Sequence, residues 1–174
     1  MEVGSLADWV QVAVTAVGML IAWGQWQKHK KITSAQHLSE VLAAFRDERI
    51  RKAFSKYIDR TSNGSNFYAE TSGDEPQFAD DTCEMEIDNM LLLFEDICHQ
   101  AHNGIIQKNA FGCFEYQIRT TLCEAQIQNY LSDLAKYCSK NGGGFPFVAL
   151  LQEGMRIESL SNFYSGVLRI LGKA

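Results

Sequence analysis

The 174-residue chain has almost no proline, only Pro76 and Pro146. All-β folds need frequent turns and breaks, so this scarcity points to long helices. Positive charge is also in short supply. The net charge of −5 argues against a general nucleic-acid binder, whose phosphate contacts need a basic face, and no direct nucleic-acid binding is expected. The five cysteines, Cys83, Cys98, Cys113, Cys123 and Cys138, include no C-x-x-C pair. That spacing is neither a disulfide framework nor a zinc ribbon, and it points to reduced, mostly buried thiols. There is no G-x-S-x-G, and Gly142-Gly143-Gly144 lacks the Lys-Ser or Lys-Thr of a phosphate loop. The glycine run reads as a helix stop. No motif supports an enzyme, and no cofactor is implied.

What the chain does have is an apolar run near its start. From Leu6 to Trp26 it reads LADWVQVAVTAVGMLIAWGQW, with no charge after Asp8. About 18 uncharged residues make about 27 Å of helix, enough to cross a hydrocarbon core. Trp9 marks one end and Trp23 and Trp26 the other, as membrane-interface residues do. Lys28, Lys30 and Lys31 follow directly. The positive-inside bias then places the N-terminus outside and the remainder in the cytoplasm. A signal peptide would carry its charge before the run and a cleavage site after it. A buried core helix is the other alternative.

Along this helix Gln11, Thr15, Gly18, Ala22 and Gln25 recur at steps of four and three. At about 100° per residue they fall in an arc of about 80°. Such a small, polar stripe allows close helix approach, and in a ring of copies it could line a pore. A lone anchor, self-association without conduction, and a pore all remain open at this point.

Behind the run, four helical stretches are expected. The first covers roughly 33–60 and continues almost without break from the membrane helix; its second half is basic, with Arg46, Arg49, Arg51, Lys52, Lys56 and Arg60. A loop follows over about 61–79. The stretch from Glu70 to Asp96 holds ten acids and no Lys or Arg, so an acidic helix beside the basic one, within or between subunits, is the simplest use of the polarity. That helix starts near Asp80 or Asp81, with Asp81 and Glu84 at capping-box spacing. Ile87, Met90, Leu91, Phe94, Ile97, Cys98 and Ala101 form its core stripe, and Asn103-Gly104 ends it. One long helix is expected over about 109–140, and a last one over about 147–171, bent near Gly154. The expected fold class is all-α: a single N-terminal transmembrane helix (1–31, with its basic cytoplasmic edge), then a cytoplasmic bundle of about four helices (32–174).

The best metal candidate is the run Glu95, Asp96, His99 and His102, whose spacing by three and four could share a helix face. One helix rarely supplies a whole site, so no metal is assigned.

The span Trp9–Trp26, the basic edge Lys28–Lys31 and the helical domain resemble the membrane-anchored accessory proteins of type VI-B CRISPR systems. The likeness covers the full chain as organisation. It implies a divergent HEPN-like helical domain, a homo-oligomeric pore at the bacterial inner membrane, contact with membrane lipid, and a functional link to an RNA-guided RNA nuclease in antiviral defence. Active HEPN nucleases pair an Arg with a His a few positions on. Arg119, in EYQIRTTLCEAQ, lacks that His, which counts against RNA cleavage. A pore or membrane-perturbing effector is thus expected first, an anchored adaptor that recruits a partner through Glu70–Asp96 second, and a tethered nuclease last.

Overall fold

The computed structural model describes residues 6–59, 67–69, 77–78 and 80–172. Helix α1 (Leu6–Phe45) is followed by α2 (Glu48–Tyr57), a two-strand antiparallel ribbon of β1 (Tyr68–Ala69) and β2 (Gln77–Phe78), α3 (Asp81–His102), α4 (Lys108–Cys123), α5 (Ala125–Asn141), α6 (Val148–Gly154), a 3₁₀ turn at Glu158–Leu160 and α7 (Ser161–Ile170). The chain divides into two compact units between Ser39 and Glu40.

The expected transmembrane helix is not found: no helix among the described residues is long and apolar enough to cross a membrane. Its apolar run is diluted by Gln11, Thr15, Gly18 and Gln25, and an amide in hydrocarbon costs several kcal/mol unless something pairs it. The positive-inside reasoning therefore has no span to orient. The placement in a bacterial inner membrane, N-terminus outside and domain in the cytoplasm, falls with it. The all-α reading of the rest stands as a helical bundle.

In the second unit α3 is the central element. Ile87, Met90, Leu91, Phe94, Ile97 and Cys98 are fully buried, because their three- and four-residue spacing puts them on one helix face. Each large side chain so buried contributes about 1.5–3 kcal/mol. α3 packs on α2, α4 and α6, and α5 packs on α4, α7 and β1. Phe45 closes one side, its ring 5.3 Å from Phe114 and 6.1 Å from Phe94.

Three stretches expected to be continuous helices are broken, and one cap differs from expectation; the last stretch, over about 147–171, divides into α6 and α7 on either side of the 3₁₀ turn. α1 stops at Phe45, and Asp47 caps α2 by accepting from the Arg49 N–H at 2.8 Å. Asp80, not Asp81, caps α3, accepting from Cys83 N–H at 2.6 Å. The long helix over 109–140 is two, separated by Glu124 in extended conformation (φ −74°, ψ 123°). The carbonyl of Leu122 thereby leaves the helical ladder and accepts from the Tyr164 hydroxyl at 2.6 Å and from Gln128 Nε2 at 3.0 Å. Gly142 ends α5 in the left-handed region at φ 70°, where a side chain would be strained.

Candidate interaction surfaces

On α1 the predicted stripe residues Gln11, Thr15, Gly18, Ala22 and Gln25 are all exposed. The Thr15 hydroxyl donates to the Gln11 carbonyl at 2.8 Å, so its proton is used within its own helix. The apolar side chains around the stripe are also uncovered: Trp9, Val14, Val17, Met19, Leu20, Ile21, Trp23 and Trp26 are each more than half exposed. At about 100° per residue they sweep an arc of about 240°, complementary to the stripe. Trp23 and Trp26 lie against each other, ring centroids 5.3 Å apart. Lys28 is exposed; the side chains of Lys30 and Lys31 lie outside the described residues.

The basic α2 and acidic α3 meet within the chain. Glu86 accepts from the Tyr57 hydroxyl at 2.7 Å and pairs with Lys56 at 3.2 Å, which hold its carboxyl below the usual carboxylate range against partial desolvation. Asp88 accepts from the Tyr130 hydroxyl at 2.6 Å; burial nevertheless pushes its carboxyl above its ordinary value. Arg119 pairs with Glu115 one turn back at 2.7 Å and lines a cleft of about 430 Å³ with Phe54 and Tyr116.

Glu95, Asp96, His99 and His102 do not converge. Glu95 accepts from the backbone N–H groups of Ala149 at 2.9 Å and Leu150 at 2.7 Å, serving as the cap that α6 lacks locally. Asp96 takes the Gln100 amide, and His99 meets Asn103. His102 Nε2 stands 3.5 Å from Glu153, a 3% exposed carboxylate that Arg156 holds at 2.7 Å. Among the described residues no three His, Cys, Asp or Glu are grouped to hold a metal ion. Sequence reasoning missed the half-buried Glu95 as the cap of α6 and Glu153 as a buried acid; the N–H groups that Glu95 accepts, and His102 beside Glu153, lie about 50 positions away in the chain and carried no local signal. Cys83, Cys98 and Cys138 are buried, Cys113 and Cys123 exposed, and all are unpaired. Burial pushes the Cys98 thiol up, followed by the fields of Glu153 and Glu95, so it is a poor nucleophile.

The larger cleft, about 880 Å³, opens beside α2. Its lining joins the less exposed Phe45, Phe54 and Phe94, its floor, to the exposed Arg46, Arg51 and Lys52 and one acid, Glu48, its rim of net positive charge. No motif announced it, because its lining comes from separate elements. No protein-family model matches this chain, and no curated protein or solved structure is significantly similar to it.

Proposed function

We infer that this chain is a non-enzymatic, self-assembling protein whose helix α1 is the contact element. The observation that carries the reading is the exposed apolar arc of α1, far wider than the single seam of a two-stranded coiled coil. An apolar surface of that extent marks an interaction site. Several copies packing their arcs together would leave the stripe Gln11, Thr15, Gly18, Ala22 and Gln25 on the outside. That is the inverse of a pore, and it needs no spanning helix. The adaptor reading is weakened because Glu86, Asp88 and Glu95 are engaged inside the fold. The link to an RNA-guided RNA nuclease in antiviral defence rests on resemblance of organisation; co-purification of the two proteins tests it.

The deciding experiment is light scattering on the full-length protein. The wild type should form a discrete multiple of 19.6 kDa. Val17→Glu with Leu20→Glu, central in the arc, should reduce it at least tenfold in association constant, about 1.4 kcal/mol or more. Gln25→Glu, on the stripe, should leave the mass unchanged. A wild type that stays monomeric, or an arc variant with wild-type mass, would sink the reading.

A further inference from the structure

The aromatic floor and cationic rim of the larger cleft suit an apolar anchor flanked by carboxylates. Lys52 is held by Glu48 at 2.9 Å. Among the described residues neither Arg46 nor Arg51 has an ion-pair partner. Both are exposed.

The chain itself carries a matching anchor. On α3, Asp81, Met85, Leu92 and Asp96 recur at steps of four, seven and four, within an arc of about 60° at about 100° per residue. Met85 is 60% and Leu92 48% exposed, unusual for large apolar residues on the central helix of a bundle, and Asp81 and Asp96 are exposed beside them. Phe94, which floors the cleft, lies about 180° from Met85 around the same helix. The stripe therefore faces away from its own cleft, and only another molecule can bring the two together.

We propose that the cleft receives the acidic α3 stripe of a second copy. Met85 and Leu92 sit on the aromatic floor, and Asp81 and Asp96 meet Arg46 and Arg51. Because the two surfaces differ, the contact is heterologous and repeats head to tail, closing into a ring or extending as a chain. It rests on the self-assembly reading only in sharing the partner, since it uses none of the α1 arc.

The test uses full-length chains carrying Val17→Glu and Leu20→Glu, so that the helix contact does not enter. At low ionic strength this chain should still associate with concentration, about tenfold more weakly when salt rises to about 0.5 M. Adding Met85→Arg and Leu92→Arg should give a monomer, and so should adding Arg46→Glu and Arg51→Glu instead. Mixing those two chains should give a discrete 1:1 dimer, because one keeps the cleft and the other the stripe; that dimer also shows that both are folded. A parent chain that is monomeric at low salt, or a mixture that stays monomeric while both chains keep the parent's circular dichroism, overturns the proposal. If Val17→Glu and Leu20→Glu leave the otherwise wild-type mass unchanged, the α1 reading fails alone, and the mixing experiment still decides this one.

Discussion

Glu95 sits in the middle of α3, 54 residues from the Ala149 N–H that it accepts. Its two oxygens satisfy two of the N–H groups that the first turn of any helix leaves without partners, and its charge complements the positive end of α6. Glu95→Gln keeps the size, but the amide presents only one acceptor oxygen and no charge. The expected loss is about 1–2 kcal/mol of stability in urea unfolding, with the fold intact. Wild-type stability in that variant would mean that α6 is held by packing alone. The sequence pattern offered Glu95 as a metal ligand beside His99, because spacing along one helix is visible and the helix across from it is not.

The joint between α4 and α5 shows the same limit for whole elements. No Gly or Pro lies between Gly112 and Asn141, so propensity continues the helix where the molecule breaks it. The break is held by Tyr164, whose hydroxyl takes the Leu122 carbonyl. Tyr164 in turn is seated against Gly154, where a Cβ would come within 2.5 Å of its ring. In an ordinary helix Gly→Ala stabilises by roughly 0.5–1 kcal/mol. Here Gly154→Ala should have the opposite sign and cost about 1–3 kcal/mol through overpacking, seen as a lower thermal midpoint. An unchanged or raised midpoint would show that the ring moves aside freely. The expected interruption at Gly154 falls where α6 ends, but the chain does not bend within one helix: α7 starts only at Ser161, after the 3₁₀ turn, and a glycine is needed at 154 because Tyr164 approaches so closely.

At the scale of the molecule, α1 and the helical unit present different kinds of surface. α1 exposes an apolar arc, whereas the unit from Glu40 onward exposes an acidic stripe and a cationic cleft. Assembly that occurs only between folded copies stabilises them by mass action. The wild-type melting temperature should therefore rise with protein concentration, and that of the Val17→Glu, Leu20→Glu chain should rise less. Identical concentration dependence in the two would remove α1 from the assembly. The span expected over Trp9–Trp26 was read from the absence of charge, and the polar residues recurring through it prevailed.

The sequence by itself determined the helical class, the buried face of α3 and the stops at Asn103-Gly104 and Gly142, because period, charge and glycine act within a turn or two of the chain. Only the tertiary structure decided which N–H groups Glu95 caps, where the Leu122 carbonyl turns, and which acids are spent against Lys56, Tyr57 and Tyr130. Each of those is a hydrogen bond or ion pair between residues about 30 to 55 positions apart. Such a bond exists only once packing has removed the water that would otherwise satisfy the same groups.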